Sequence, residues 1–394
     1  MDGNGRRAAV IGGSLGGLTV ANLLRDADWD VTVYERSSAP LDGRGAGIVV
    51  HDASVRYLVE RTGLKLDQLS HPSSFIRYLH PSGALAHEQP SSLRFTSWNT
   101  LYRGLLSTIE VDYRPGHEVT NVTQVSDDEV HVHLATGHVE PAELVVAADG
   151  FDSTVRRIVC GHIAPTYGGY VGWRGLVSER DLTQETLEAL TDAITYCVIP
   201  NSHIVAYPIP ETYGPTQQGA QTVNYVWYRN VSKGRELEEL MTGTDGHTRS
   251  VTLHPGLVDS SFVDQLRRDA EALAPPLTEL VQRTDKPFVQ AIFDIETTKM
   301  VSGNIALIGD GAFSARPHAA AGTAKAAEDG WRLIQELAAH DTISEALATW
   351  ETSQLILGKQ LVARARTLGK RSQQFNSWLP GDPELAFGLH GPGD

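Results

Sequence analysis

The stretch AAVIGGSLGG at residues 8–17 decides the fold class of this 394-residue chain. Residues 8–11 form a short apolar run that predicts a buried strand, and four glycines follow within six residues. The next residues have a helical period from Leu18 to Arg25, and residues 31–34 are rich in β-branched and aromatic side chains. Strand, tight turn, helix and strand make a βαβ unit, which predicts a parallel sheet covered on both faces.

The glycine-rich turn is of the kind that binds the pyrophosphate of a dinucleotide. Glycines let the backbone approach the phosphates, and free N–H groups at the start of the helix bind their charge. Ser14 occupies the second glycine position of the usual GxGxxG pattern, where its small side chain adds a hydroxyl group. Glu35 closes the second strand 23 residues after Gly12 (35 − 12), close to the ~20 expected for an acid that binds a ribose hydroxyl. The turn therefore predicts a dinucleotide, without saying which one.

Two more buried strands end near an acidic residue, LVVAADG at 144–150 and NIALIGD at 304–310. In a doubly wound sheet this edge binds ligands. Between them, from about Tyr167 to Phe293, aromatic strand-like segments broken by prolines predict an inserted antiparallel sheet, which is one way to bind a planar substrate. A helix-rich tail starts near Thr323, and the Gly/Pro-rich end from Leu379 to Asp394 predicts surface coil.

Composition excludes several classes of function. Lys and Arg number 33 and Asp and Glu 48, for a net charge of −15, which argues against a nucleic-acid partner and favours a small molecule. Cys160 and Cys197 are the only cysteines and form no CxxC, so we expect neither disulfides nor a metal site, and a cytoplasmic location. No apolar run approaches the ~18 residues that cross a bilayer, so no membrane partner is expected.

Three ordered motifs together resemble the single-component flavin-dependent aromatic hydroxylases, which have the p-hydroxybenzoate hydroxylase fold. The motifs are the turn that ends at Glu35, DGFDSTVR at 149–156, and GD at 309–310 with Pro317 and Gly322. The resemblance covers nearly the whole chain. It implies a mixed α/β and α+β architecture with a Rossmann-like FAD-binding domain, an inserted, mostly antiparallel substrate domain and a C-terminal helical region. The expected segments are 1–75, 101–166 and 294–340 for the FAD-binding domain, 76–100 and 167–293 for the substrate domain, and 341–394 for the C-terminal helices and tail.

The resemblance also implies an activity and its cofactors. FAD would be bound tightly but not covalently, NADPH or NADH would be the co-substrate, and O2 would react through a flavin C4a-hydroperoxide to hydroxylate an electron-rich, hydroxylated ring. GIVV at 47–50, YPIP at 207–210 and RPHAAAG at 316–322 are similar to the branch that acts on dihydroxypyridines. The expected substrate is therefore 2,6-dihydroxypyridine, hydroxylated at C3, and a homodimer is the expected assembly.

Residues from each motif acquire FAD-binding roles through the resemblance. The turn would contact the pyrophosphate, Asp310 the ribityl hydroxyls, and Asp149 both the pyrophosphate and transient NADPH. Glu35 would bind the adenosine ribose, and the loop that starts at Pro317 would line the isoalloxazine, where the helix dipole steadies negative charge. Arg36 would flank the adenine, Val119 would contact it, and Arg44 and Arg103 would reach phosphate or ribityl. The full predicted set is Gly12, Ser14, Leu15, Gly16, Gly17, Glu35, Arg36, Arg44, Arg103, Val119, Asp149, Gly309, Asp310, Pro317, Ala321, Gly322, Thr323 and Ala324.

A base with a pKa near neutrality would activate the ring by taking a proton from its hydroxyl group, and histidine is the obvious type. Of the 15 histidines, His318 is the first candidate because its loop would lie beside the flavin; the alternative is that it only bonds the backbone there. His51, His203 and Tyr207 are further candidates.

Other readings remain open at this point. The same chemistry could act on a phenolic or secondary-metabolite ring, with hydroxylation, decarboxylative hydroxylation or a Baeyer–Villiger outcome. A plain FAD oxidase is possible, whereas a flavin halogenase would carry Trp-x-Trp-x-Ile, and GWRG at 172–175 has one tryptophan. A disulfide reductase is excluded because there is no CxxC. A non-catalytic FAD-binding redox module is the distant alternative.

Overall fold

The computed structural model describes residues 6–41, 47–210, 221–385 and 387–391. The helices within these ranges are α1 (Leu15–Asp26), α2 (Asp52–Thr62), α3 (Leu66–Leu69), α4 (Trp98–Ser107), α5 (Thr154–Cys160), α6 (Gln184–Leu190), α7 (Arg235–Met241), α8 (Ser260–Asp269), α9 (Pro275–Arg283), α10 (Gly322–Ala339) and α11 (Ile343–Gln373). None of these described helices combines the length and the apolar character needed to cross a membrane.

The strands belong to four sheets. In chain order they are β1 (Arg7–Ile11), β2 (Asp30–Glu35), β3 (Gly47–Val49), β4 (His71–Pro72), β5 (Phe75–Leu79), β6 (Leu85–Pro90), β7 (Arg94–Ser97), β8 (Asp112–Pro115), β9 (Val119–Ser126), β10 (Glu129–Leu134), β11 (Val139–Ala142), β12 (Leu144–Ala147), β13 (Thr166–Ser178), β14 (Ala193–Ile199), β15 (Ser202–Pro210), β16 (Gln221–Asn230), β17 (Thr252–Leu253), β18 (Phe288–Glu296), β19 (Val301–Ser302), β20 (Ile305–Leu307) and β21 (Phe313–Ser314).

A six-stranded sheet carries the glycine-rich turn. Its order is β19-β20-β12-β1-β2-β8, and the strands from β20 to β8 run parallel. Ile11 pairs with both Tyr34 and Ala147, so the ends of three strands lie side by side. The predicted βαβ unit and α/β fold class are confirmed. Since parallel strands end at the same edge, the residues after β1, β12 and β20 meet there.

A nine-stranded sheet forms the second layer, in the order β17-β18-β13-β16-β15-β14-β5-β6 with β21 beside β18. Its strands pair antiparallel except β5 and β14. Because side chains alternate along a strand, the aromatic residues divide between two faces. Trp173, Tyr225 and Trp227 pack in one core with α8 and α9, whereas Tyr207 and Tyr228 belong to another. The mostly antiparallel sheet is confirmed, and only part of its aromatic side chains can meet a ligand.

The segment after α11, described for residues 374–385 and 387–391, is called the C-terminal tail below. The prediction of surface coil is wrong for Leu385 and Leu389, which are buried in the same core as Tyr207. The Gly388 N–H donates to the Ala319 carbonyl at 2.9 Å. Widely spaced apolar residues gave no periodic signal, and contacts distant in sequence decide their burial.

Candidate active site

One cavity of about 380 Å³ lies between the carboxyl edge of the parallel sheet and the second sheet. Its two ends differ in construction. The glycine end is lined by backbone-rich segments, which include Ser14, Leu15, Gly16, Gly309, Asp310, Pro317, Ala321, Gly322 and Thr323. The aromatic end is lined by side chains of the second sheet, the turn at 317–319 and the C-terminal tail, which include Arg174, Tyr196, His203, Tyr207, Tyr228, Gln290, His318 and Trp378.

The glycines of the turn are required by close backbone contacts. Gly12 has φ +103°, and a Cβ there would lie 2.4 Å from the Ala148 carbonyl oxygen. A Cβ on Gly17 would lie 1.8 Å from the Gly12 carbonyl oxygen. Ser14 is the N-cap of α1, and its side chain makes no capping hydrogen bond among the described residues. The turn therefore brings the start of a helix to the cavity with donors free for an anion.

Glu35 fixes the turn from the end of β2. Its Oε2 accepts from the Gly13 N–H at 2.8 Å and its Oε1 accepts from the Ser37 N–H at 2.7 Å. The carboxylate is buried beside the turn, and each oxygen keeps a further acceptor position. Arg36, next to it, is exposed.

Two carboxylates at the sheet edge lack the donors that buried carboxylates normally have. Asp149 Oδ2 accepts from the Val155 N–H at 3.1 Å, but its Oδ1 is buried with no partner among the described residues, and burial raises the pKa of this carboxyl. The Asp310 side chain is open to the cavity yet lies deep among protein atoms, and this desolvation raises its pKa to about 6. The Asp310 carboxylate, which lines the cavity, would gain from a ligand that donates hydrogen bonds.

These residues fit FAD. The turn and the start of α1 suit a pyrophosphate, because free N–H groups and the positive end of a helix meet there. The ribityl hydroxyls of FAD are donors, which is what the Asp310 carboxylate at the cavity lacks. Gly322, at the start of α10, would have no atom within 4 Å of an added Cβ, so the backbone is open to a flat ligand.

The loop between the two ends is held from both sides. Pro317–Ala319 form a 3-10 turn, and Ala320 is left-handed with φ 56°. The His51 Nε2–H donates to the Ala320 carbonyl oxygen at 2.8 Å. His51 is the N-cap of α2, so this candidate base holds the loop instead of lining the cavity.

The histidines at the aromatic end are buried and uncharged. His318 Nε2 lies 2.7 Å from the Tyr170 hydroxyl, and its Nδ1 is buried without a partner in the described part of the chain. Burial lowers the pKa of His318 well below its ordinary value, and it lowers that of His203 to about 3. His203 Nδ1 lies 2.5 Å from Ser372 Oγ. Both rings are therefore neutral near pH 7.

Several residues of this site were missed by sequence reasoning. Tyr170 bonds His318, and Trp378 stacks on His203 with ring centroids 4.7 Å apart. Behind them, Arg316 pairs with Asp294 at 2.9 Å. Alternation along β13 could have grouped Tyr170 with Arg174, but nothing local places Trp378.

Other predicted residues lie away from the cavity lining. Gly12, Gly17, Glu35 and Asp149 lie directly behind the turn and the sheet edge. Val119 and Ala324 are buried, Arg36 and Arg103 are exposed, and Arg44 lies outside the described residues. The roles of these residues stay predictions.

The fold and the cavity define a class, a flavin-binding oxidoreductase that encloses a small aromatic ligand. A family model described as FAD binding domain-like matches residues 167–294. The chain is 37% identical to 2,6-dihydroxypyridine 3-monooxygenase of Paenarthrobacter nicotinovorans, over 97% of this chain and 96% of that protein. It is 26% identical to 6-hydroxynicotinate 3-monooxygenase of Pseudomonas fluorescens, over 97% and 94%. The solved structure of 2,6-dihydroxypyridine-3-hydroxylase from Arthrobacter nicotinovorans superposes with a TM-score of 0.92 at 36% identity, covering 98% of each chain.

The chain belongs to the FAD-dependent aromatic hydroxylases of the p-hydroxybenzoate hydroxylase type. It is an FAD-dependent monooxygenase that uses NAD(P)H and O2 and acts on a small aromatic substrate.

Proposed function

We propose that the substrate is 2,6-dihydroxypyridine and that the ring is hydroxylated at C3. The observation that carries the proposal is that one continuous cavity joins the glycine turn and Asp310 to a pocket walled by aromatic and histidine side chains. The planar side chains that wall this pocket suit a small aromatic ring next to the flavin. The full-length similarity to 2,6-dihydroxypyridine 3-monooxygenase supports the choice of ring.

In this proposal the glycine end binds FAD. The N–H groups of residues 14–17 hold the pyrophosphate, Glu35 the ribose and Asp310 the ribityl chain, and the loop from Pro317 to Ala324 lies along the flavin ring. Arg36 and Val119 flank the adenine, and Arg44 and Arg103 reach phosphate or ribityl. When bound, FAD supplies the redox chemistry, which takes electrons from NAD(P)H and activates O2.

The aromatic end orients the substrate ring and excludes water. Burial lowers the pKa of His203 to about 3, so its ring is neutral, and its Nε2, which bonds no other described residue, can accept a hydrogen bond from a ring hydroxyl. Tyr207 stacks on Phe95 with centroids 4.4 Å apart, which holds its phenol in place. His318, whose Nε2 is engaged by Tyr170, contributes a neutral wall beside the flavin loop. We infer that His203 and Tyr207 orient a ring hydroxyl of the substrate by hydrogen bonding.

The test is NADPH oxidation by the purified, FAD-loaded protein in air, with and without 2,6-dihydroxypyridine, while the product is followed by mass. Stimulation with a gain of one oxygen atom is the expected result. Stimulation without oxygen gain would make the pyridine an effector and overturn the proposed substrate. No response to the pyridine, together with turnover of a phenol, would move the substrate to the phenolic class.

We also propose a homodimer in the cytoplasm and the domain division given by residues 1–75, 101–166 and 294–340 against 76–100 and 167–293, with 341–394 as the C-terminal part. Cys160 and Cys197 are both free, which fits a reducing compartment. Light scattering on the FAD-loaded protein tests the dimer, and a monomer mass would overturn it.

A further inference from the structure

Arg174 is a cation on the ligand side of the second sheet. It lies on β13 opposite Val226 of β16, and alternation places it on the same face as Tyr170, toward the cavity. The neighbouring residue, Trp173, points into the opposite core. The Arg174 side chain is half-buried in the cavity wall.

Arg174 is held by an amide and not by an acid. Its Nε donates to Gln290 Oε1 at 3.0 Å, across β13 and β18. Across the ranges that the structure describes, no carboxylate lies within ion-pair distance of this guanidinium, and its Nη atoms make no hydrogen bond. Other cations near the site are paired: Arg316 binds Asp294, and Lys325 binds Asp329. The bond from Gln290 fixes the plane of the guanidinium and leaves its outer edge free.

The charge of Arg174 acts on the cavity surface. Burial raises the pKa of Tyr207 to about 12, and Arg174 acts against this rise. Burial also raises the pKa of Tyr228, and the charge of Arg174 again opposes the rise. The cation is therefore near the two phenols that line the aromatic end. Half-buried charges are normally paired, and a guanidinium with a free edge matches two oxygen atoms of an anion.

We propose that Arg174, oriented by Gln290, is an anion subsite that binds a negatively charged oxygen of the aromatic substrate, either an ionised ring hydroxyl or a ring carboxylate. The inference rests on the proposed function only in that the cavity takes an aromatic ring. The subsite goes beyond that function because it requires the bound ring to carry a negatively charged oxygen. A phosphate of NAD(P)H has the same anionic chemistry, and the experiment separates the two sources.

The first test compares two variants of the FAD-loaded protein that change the charge at the subsite. Arg174→Gln removes the cation, and Gln290→Glu keeps it but supplies an internal carboxylate. We expect both variants to raise the dissociation constant of 2,6-dihydroxypyridine, followed by the change in flavin absorbance, at least tenfold. FAD content and the KM for NADPH should not change. Arg174→Lys, which keeps the charge without the fork, should recover part of the affinity.

A matched pair of probes makes the result independent of the true substrate. 6-Hydroxynicotinate carries a carboxylate, and 6-hydroxynicotinamide is its uncharged counterpart of similar shape. The wild-type protein should prefer the acid at least tenfold, and Arg174→Gln and Gln290→Glu should abolish this preference. If 2,6-dihydroxypyridine is not hydroxylated but the preference is found, the proposed substrate fails and the subsite stands.

Two results would overturn the subsite. One is a wild-type protein that binds acid and amide equally. The other is an Arg174→Gln variant that keeps the preference for the acid, or whose defect is a raised KM for NADPH with unchanged binding of the ring, which would assign Arg174 to the dinucleotide.

Discussion

The two ends of the cavity are built in different ways. At the glycine end the contacts come from backbone, and a few positions without a Cβ let the chain pass close to itself, as Gly17 does beside Gly12. At the aromatic end the surface comes from side chains on five strands, on the turn that carries His318 and on the C-terminal tail. Adding a Cβ at one glycine of the turn displaces the backbone and should abolish FAD binding altogether. Removing one side chain from the aromatic end should remove only the contacts of that side chain. The predictions below test this difference.

The largest effect is expected for Gly17→Ala. Its Cβ would lie 1.8 Å from the Gly12 carbonyl oxygen, which is backbone and cannot move aside cheaply. We expect a protein without bound flavin, destabilised by at least about 3 kcal/mol. Flavin absorbance of the purified protein and denaturant unfolding measure both.

Gly330→Ala, within α10 and away from the cavity lining, is the matched control. Its Cβ would lie 3.4 Å from the Val20 Cβ, an ordinary van der Waals distance. It should keep most of its flavin. Equal behaviour of the two variants would mean that the cradle does not depend on backbone approach.

Next in size is the pH dependence of FAD binding through Asp310. Its pKa is raised to about 6 in the folded apoprotein, against ~3.9 when unfolded. The folded apoprotein therefore binds the Asp310 proton more tightly than the unfolded chain does. As the pH rises from about 4 to about 6, the free energy of unfolding of the apoprotein falls. FAD hydroxyls need the ionised form, so the dissociation constant should be about tenfold higher at pH 5 than at pH 7.

Asp310→Asn should bind FAD weakly at both values and lose this dependence. Asp149→Asn is the comparison, because the pKa of Asp149 is also raised. If the pH dependence of FAD binding remains in Asp310→Asn but is lost in Asp149→Asn, the group that titrates is Asp149 and not Asp310.

A smaller effect is expected for Trp378→Ala at the aromatic end. The indole is 3% exposed and stacks on His203, so its loss opens one wall. The KM for the ring substrate should rise about tenfold, with FAD affinity unchanged. Leu379→Ala, at a side chain that is 60% exposed, is the control and should behave as wild type. Loss of FAD from the Trp378 variant would show that the two ends are not separable.

The smallest effect is expected for His51→Ala, which removes the hydrogen bond to the Ala320 carbonyl. One such bond contributes about 1 kcal/mol, so FAD binding to the apoprotein should weaken about fivefold. His138→Ala, at an exposed histidine, is the control. A loss of activity far beyond the loss of FAD affinity would instead support His51 as a base.

The same difference explains what could be predicted from the sequence. Gly12, Glu35 and Asp310 could be placed at one edge because each lies at the end of a recognisable buried strand. Since these strands pair in parallel, their carboxyl ends lie at the same edge of the sheet. At the aromatic end, His203 and Tyr207 were candidates by residue type. Alternation divides β13 into two faces but does not say which face meets the ligand, so Arg174 was overlooked. Trp378 depends on how the tail packs, which no local pattern encodes.

The hydrogen bond from Gly388 to Ala319 has a consequence for how the two ends of the cavity influence each other. The next residue, Ala320, accepts a hydrogen bond from His51, so the turn between the two ends is held by the C-terminal tail on one side and by the start of α2 on the other. A displacement of the tail therefore acts directly on the segment that lines both the glycine end and the aromatic end.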